Sequence, residues 1–589
     1  MNISKKKILR DIDDIKMWFY LIPHKKLAVD TETTGLDCHT LELVGISLYN
    51  GEYACYIDLY ENPDFDIIIK FLIEQFKTVE KVIAHNVKFD YMVLYKYNLY
   101  LPEKRFCTQV AAHLLNENVR KSLKFLAQRF EFTEGNIEFE EAVADGYQSE
   151  KFYEYAMNDA IWCWKLHEIE QPKLIEEGLW DLFWKIEMPF TETLAHVEMN
   201  GILVDKKEIA NLGENTCEKL IDMEKRLFDI AEVPEKERSG FNLNSGPTII
   251  KLLTQKFGLT IKEKTKKGKL SVGKATLERL SKQHEFPKLL LEYRKARKLQ
   301  TAFVNPISSF INDDGRIRPH YNPTGPVTGR LSASKPNVQQ SGKDDGYRNI
   351  FVAEEGKKLL SADYAGQELR WLAIQSKDKN LLDAFNNDKD LHLATANKVF
   401  NLGTPDECLY RTHPEYESYK EKYKDERYKG KNSVNFPVIY GSTEYGISKS
   451  LKISEAKAKK IIDDYYELYP GVKVAISACV NHLYKKRYVK DFFGRRRRFQ
   501  YIDDKVKRQA FNFLIQAPSA SQLKVAANRV HKEIPEVKII MLIHDEIVME
   551  VDKDFNREGD VVKIMKEAVL ADIPFEVETT EGLNFGGLK

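Results

Sequence analysis

Two sets of acidic residues, far apart in the chain, have the types and spacing of metal-dependent phosphoryl chemistry. In the first, a short apolar run at 27–30 continues into Asp30-Thr-Glu32. Residues i and i+2 of a strand point to one face, so both carboxylates can reach the same ion. Asp90 stands just after another strand-like run, in IAHNVKFDY, and Tyr155 and Asp159 lie four apart in YEYAMNDA, on one face of a helix. Four carboxylates converging on one spot cannot all be ionised and stable without cations. Hard oxygen donors select Mg²⁺ or Mn²⁺, and a pair of such ions activates water and supports in-line displacement at phosphorus. In the second set, a strand at 358–362 ends at Asp363. Near the C-terminus two apolar strands, 539–543 and 547–551, flank the turn His544-Asp545-Glu546. That hairpin lifts its acids to the tip, and two aspartates from neighbouring strands suit a second two-metal site.

These residues need elements to hold them. The first third alternates β-rich runs (27–30, 43–49, 53–58, 81–84) with helical patterns, an α/β arrangement. A helix-like stretch near 176–198 leads out of it. Residues 200–310 read as mostly helical, with a lysine-rich loop at Lys262, Lys264, Lys266, Lys267, Lys269 and Lys274. Beyond 320 strands and helices mix, with long helical patterns at 376–400 and 415–470.

The ordered set Asp30, Glu32, Asn86 with Phe89 and Asp90, and Tyr155 with Asp159 resembles the 3′–5′ exonuclease family, whose signature is three acidic motifs plus a tyrosine. By that resemblance Asp30, Glu32, Asp90 and Asp159 hold the metals and Tyr155 orients the attacking water. The segments TGRLSASKPNVQQ (328–340), DYAGQELR (363–370), KDLHLATA (389–396), NFPVIYG (435–441), YPGV (469–472) and HDE (544–546) follow in order. They look like the DNA polymerase I family, also called family A. The resemblance covers the whole chain and is that of a proofreading domain plus polymerase, with no 5′-nuclease domain ahead of it.

The resemblance implies an α/β and α+β multidomain protein. A ribonuclease H-like exonuclease domain at 1–180 precedes a right-hand polymerase at 181–589. Its thumb would lie at about 200–320, its palm at about 321–375 and 475–589, and its fingers at about 376–474. It also implies residue roles. Asp363 and Asp545 bind catalytic metals with Glu546 nearby, two Mg²⁺ or Mn²⁺ ions serving each active site. Glu368 selects deoxynucleotides; His392, Arg427 and Lys431 are three basic groups for the triphosphate; Phe436 and Tyr440 stack on nucleotide and template base. Arg330 reads the primer-terminal minor groove, Asn337 and Gln339 hold the template–primer, and Arg508, Asn512 and Gln516 form one helical stripe facing DNA. The expected partners are primer–template DNA and dNTPs. A DNA clamp without catalysis would not need Asp363 and Asp545, and both are present.

This sequence departs from the family in two places. Ala365, Gly366 and Gln367 replace the usual Ser-Gln-Ile. The missing side chain at Gly366 removes a primer-side contact, for which Gln367 is the expected substitute. The family also places its lysine four residues before the aromatic, whereas Lys431 lies five before Phe436 and Asn432 takes the expected slot. Pro437 then stands inside the helix, where it deletes a hydrogen bond at a cost of about 3 kcal/mol. One inserted residue beside a proline predicts a π-bulge that returns Lys431 to the working face.

Composition bounds the rest. At about 150 residues per domain, 589 residues give roughly four domains or one very large module, and 43% hydrophobic with 30% charged residues fits a globular protein. No apolar run approaches the roughly 18 residues of a membrane span, and the basic start MNISKKKILR lacks the apolar region of a secretory signal. A cytoplasmic monomer is expected, organellar targeting is not favoured, and no large thumb insertion indicates an accessory replication partner. Seven scattered cysteines, never Cys-x-x-Cys, give neither a disulfide framework nor a zinc site. Residues 1–180 hold 21 Lys and Arg against 30 Asp and Glu, which leaves 69 against 59 of the totals 90 and 89 for the remainder. An acidic first third and a basic remainder suggest a polyanion partner for the latter, and favour phosphate contact by the run 495–498 and the lysine loop.

Overall fold

The computed structural model describes residues 5–132, 138–265, 268–340 and 346–588. Lys266 and Lys267 of the lysine loop lie outside them. The first unit is a six-stranded sheet of β1 (Lys6–Leu9), β2 (Lys26–Thr33), β3 (Leu43–Tyr49), β4 (Ala54–Asp58), β5 (Lys81–Ala84) and β6 (Arg105–Cys107), in the order β1-β4-β3-β2-β5-β6. β2 runs antiparallel to β3 and parallel to β5. A strand covered on both faces needs apolar residues on both, which is why Leu27, Ala28 and Val29 are consecutive and all buried. The helix Glu150–Glu176 packs on β2 and β3. Ser149 starts it by accepting the Phe152 N–H at 3.2 Å.

The helical stretch expected near 176–198 is present, beginning at Trp180. The chain breaks at Glu177–Leu179 and resumes as Trp180–Leu182, Phe183–Glu187 and Met188–Asn200. This last helix belongs to both cores: Met188 and Ala195 pack with the first unit, Phe190, Leu194 and Val197 with the second.

The second unit is centred on a four-stranded antiparallel sheet. Its order is Lys538–Ile543, Glu546–Asp552, Lys357–Tyr364, Val577–Gly582. The 30-residue helix Asp504–Glu533 lies behind it. A separate core of Leu227, Leu277, Phe286, Leu290 and Tyr293 joins the helices Lys206–Ile230 and Glu285–Leu299. The pattern at 415–470 is not one helix. It divides at Tyr423, again after Ile439 and once more at Lys452, a left-handed residue with φ 58°.

Arg495–Arg498 do not form a solvated strip awaiting phosphate. Arg495 and Lys524 bond Glu187, Arg496 and Arg498 bond Glu177, and Arg497 and Arg498 bond Glu117. The strand Arg496–Arg498 therefore fastens the second unit to the first. Buried beside Lys524 and Arg495, the Glu187 carboxyl is held down to about 2 although burial alone would raise it. Part of the charge asymmetry read from the sequence is thus complementarity within the molecule itself.

Candidate active sites

The first site forms where β2 meets two helices. Asp30 and Glu32 alternate with Thr31 and so share a face, and the helix Glu150–Glu176 brings Asp159 across them. Ligand atoms of Asp30, Glu32 and Asp159 all lie within 4.8 Å of one another. Asp90 enters from the helix Val87–Lys96, which begins after Asn86 in a left-handed conformation (φ 58°). Its Oδ1 accepts the Thr31 N–H at 3.1 Å and the Thr31 hydroxyl at 2.8 Å. All four expected carboxylates and Tyr155 are thus brought together.

Their electrostatics are those of a cation site. Burial, then mutual repulsion, pushes Asp30 well up, and pushes Glu32 to about 8; burial takes Asp90 and Asp159 to about 7. Asp159 Oδ1 is buried with no hydrogen-bond partner among the described residues. Crowded acids that resist ionisation, one with an orphaned oxygen, are the donor set that divalent ions such as Mg²⁺ fit. Burial and Asp159 also raise Tyr155, which keeps its phenolic proton. The sequence reading missed Lys124. Its ammonium lies 5.6 Å from the Tyr155 ring centroid and lowers Asp159, against the burial that raises it. No local motif marks it, because it arrives from a separate helix, Leu123–Arg129.

In the second site, the sheet register places Asp363 directly opposite Glu546. His544, with φ 56°, makes the tight reversal that carries Asp545 at the tip, and the Tyr364 N–H donates to the Asp545 carbonyl at 3.3 Å. Glu546 is buried and accepts the Ser361 hydroxyl. Burial, then Asp363, raises Asp545 to about 7. Glu368 sits in the first turn of the helix Gln367–Ser376 and accepts from both Arg330 and the Tyr440 hydroxyl. Gln367 does not replace the missing primer-side contact. The left-handed turn at Gly366 (φ 64°) swings it inward, where it bonds Ser519 and Gln522 at 3.2 and 2.9 Å.

Asp363, Asp545, Glu368, His392, Arg427, Lys431 and Phe436 line one cleft of about 1040 Å³. The expected π-turn is present over Gly430–Asn435, and Pro437 follows in the first turn of the next helix, Phe436–Ile439. Its missing N–H falls where the ladder is already changing partners. Lys431 thereby joins the cleft, while the Asn432 amide turns back to the Tyr428 carbonyl at 3.3 Å. Gly430 is required by closeness: a Cβ there would lie 2.9 Å from the His392 carbonyl.

Three basic groups were expected here, but two are cations. Burial, with Lys431 and Arg427 adding to it against Asp390, lowers His392 to about 4, so the ring is neutral at pH 7. Asn435 contacts its Nδ1 at 2.9 Å. Asp390, which sequence reasoning passed over, organises the group. It caps the helix Leu391–Phe400 and accepts Arg427 Nε at 2.6 Å and the Tyr416 hydroxyl at 2.7 Å. An aspartate directly before an apolar helical run was the available signal.

Arg508 is exposed, and Asn512 and Gln516 are half-buried, on one face of the helix Asp504–Glu533. The Gln339 backbone N–H donates to the Asn337 side chain at 3.1 Å, and its side-chain amide donates one hydrogen bond to the Leu542 carbonyl at 3.1 Å.

Comparison with known proteins agrees with this geometry. Residues 206–587 match the sequence profile of DNA polymerase family A, and residues 7–175 that of a 3′–5′ exonuclease. The chain is 31% identical to DNA polymerase I of Borreliella burgdorferi over 99% of its own length and 65% of that protein. It is 30% identical to DNA polymerase I of Pseudomonas aeruginosa over 95% and 63%, respectively. It therefore spans slightly less than two-thirds of the curated relatives it matches. The fold is shared with the POL domain of Pol1 from M. smegmatis, solved in complex with DNA primer-template and dNTP, with a TM-score of 0.85. The two are 24% identical, and the match covers 99% of this chain and 100% of that one.

Proposed function

The chain belongs to DNA polymerase family A, and on that premise we propose that it extends a DNA primer along a template and removes nucleotides from the same 3′ end at a second site. The observation that carries this reading is the presence of two complete carboxylate clusters, one in each unit. The proposed division is the one read from the sequence: an exonuclease at 1–180, then a polymerase at 181–589 with its thumb at about 200–320, palm at about 321–375 and 475–589, and fingers at about 376–474.

At the first site Asp30, Glu32, Asp90 and Asp159 would hold two divalent ions, and at the second Asp363 and Asp545 would do so, with Glu546 fixed by Ser361 close by. When bound, Mg²⁺ or Mn²⁺ supplies charge neutralisation and activation of the attacking oxygen. The remaining work falls to side chains. Tyr155, kept protonated by its surroundings, is suited to donate a hydrogen bond and orient the attacking water. Arg427, pre-set by Asp390, and Lys431 supply two positive charges for a triphosphate, and neutral His392 supplies an N–H. Phe436 would lie against the incoming sugar, and Tyr440 against the template base. Glu368, braced by Arg330 and Tyr440, would close the space beside the 2′ carbon. Arg330, Asn337, Gln339, Arg508, Asn512 and Gln516 form the proposed DNA contacts of a monomer acting on primer–template DNA and dNTPs.

The test is separability. Asp30→Asn with Glu32→Gln should abolish 3′-end degradation and spare primer extension with four dNTPs, and Asp545→Asn should do the reverse. Loss of both activities from either change, in folded protein, would refute two independent sites.

A further inference from the structure

A third cluster lies outside both carboxylate sites, in the segment after the helix Leu391–Phe400. Cys408, His413 and Glu415 present a sulfur, a ring nitrogen and a carboxylate oxygen that all lie within 4.8 Å of one another. Cys408 Sγ is 3.5 Å from Glu415 Oε2. The His413 Nδ1 accepts the Glu415 backbone N–H at 3.3 Å, a weak bond that an ion could displace. The fold gathers them by a compact reversal. Cys408 is buried in the short turn Asp406–Leu409, the His413 N–H bonds the Tyr410 carbonyl at 3.0 Å, and the Tyr416 N–H bonds the His413 carbonyl at 3.0 Å.

The local field favours a cation. A divalent ion binds sulfur as the thiolate, so its binding would release the Cys408 proton. The neighbouring cations are already engaged: Lys389 pairs with Asp406 and Arg411 with Asp388. A thiolate is a soft donor that disfavours Mg²⁺, and one sulfur, one imidazole and one carboxylate make a three-ligand zinc set with a fourth position for water. We propose that Cys408, His413 and Glu415 form a zinc-binding site. Cysteine spacing could not reveal it, because the site takes one donor of each type.

The site has a structural consequence that rests on the polymerase reading, although the site itself does not. The cluster is flanked by the two residues that grip Asp390. The Leu409 carbonyl accepts the Asp390 N–H at 2.8 Å, and the Tyr416 hydroxyl donates to its carboxylate at 2.7 Å. An ion bridging positions 408, 413 and 415 would lock both attachments, and through Asp390 the position of Arg427.

The full chain, stripped of metal with a chelator and titrated with Co²⁺, provides the test. Cobalt bound to a thiolate gives a near-ultraviolet charge-transfer band that carboxylate-only sites cannot give. With excess Mg²⁺ present to fill the carboxylate sites, the expected band saturates at about one equivalent, is bleached by Zn²⁺ and is absent in Cys408→Ser. His413→Ala, at a half-buried position, and Glu415→Gln, at an exposed one, should each weaken cobalt binding by more than the roughly tenfold that losing an outer-shell partner costs. Absence of a sulfur band in the unaltered protein, its survival in Cys408→Ser, or unchanged affinity in the His413 and Glu415 variants would overturn the site. None of these readouts involves DNA synthesis, so they stand apart from failure of the polymerase reading.

Discussion

The backbone N–H of Phe436 donates to the carbonyl of Lys431, five residues back. That one wide turn absorbs the extra residue between them and leaves Lys431 beside Arg427 in the cleft proposed to take the nucleotide, with Asn432 outside it. Lys431→Ala should therefore raise the KM for dNTPs by roughly ten- to a hundredfold, the cost of a charge-assisted contact of about 1.5–3 kcal/mol. Asn432→Ala should stay within about 0.5 kcal/mol, as for an uninvolved surface change. Steady-state extension with each variant decides, and the opposite ranking would place Asn432 at the triphosphate.

Glu187 answers two buried cations, Arg495 and Lys524, with all three side chains at most 3% exposed. Glu187→Gln should destabilise the protein by about 3–5 kcal/mol, because it leaves those cations uncompensated. The pH dependence has a definite sign. The folded-state value of about 2 lies below the ordinary 4.5, so this contribution is fully present above about pH 4.5. It is lost as the pH falls toward about 2. Denaturant titrations at pH 7 and pH 3 should show a smaller difference between unaltered protein and variant at the lower pH.

Glu368 can be read through sugar selection. Replacing it with Ala opens the space that it fills between Arg330 and Tyr440, so ribonucleotides should enter more readily relative to deoxynucleotides. Single-nucleotide insertion efficiencies measure this. An equal loss for both sugars would mean that Glu368 only braces the two side chains that bond it.

Phe436 concerns a single oxygen atom. In the proposed placement beside the 3′ carbon, phenylalanine brings no hydroxyl, so the nucleotide's own 3′-hydroxyl would have to supply the polar contact. A dideoxynucleotide leaves that contact unmade, at a cost of about 1.5–3 kcal/mol, and discrimination of at least about tenfold should follow. Phe436→Tyr should erase most of it while sparing dNTPs. The ratio of dNTP to ddNTP insertion is to be measured in the Asp30→Asn, Glu32→Gln background, and an unchanged ratio would show that Phe436 does not face the sugar.

Much of both sites is written in local sequence, for a physical reason. Alternation along a strand puts Asp30 and Glu32 on one face, a helical turn aligns Tyr155 with Asp159, and a two-residue reversal raises Asp545. Such relations depend on backbone geometry over a few residues, so they survive without knowledge of the fold. The odd spacing from Lys431 to Phe436 even predicts its own π-turn. Relations across the chain are of another kind. Arg495–Arg498 read as a phosphate-binding strip, because an arginine run looks the same whether it faces solvent or Glu117, Glu177 and Glu187. Gln367 read as a substitute ligand, because only the turn at Gly366 and the helix behind it decide that it points inward. His392 read as a cation, because its charge depends on burial. The sequence by itself determined which residues could do the chemistry. Packing alone decided which charges are spent inside the molecule, since burial and pairing are properties of the assembled neighbours and not of any residue's own position in the chain.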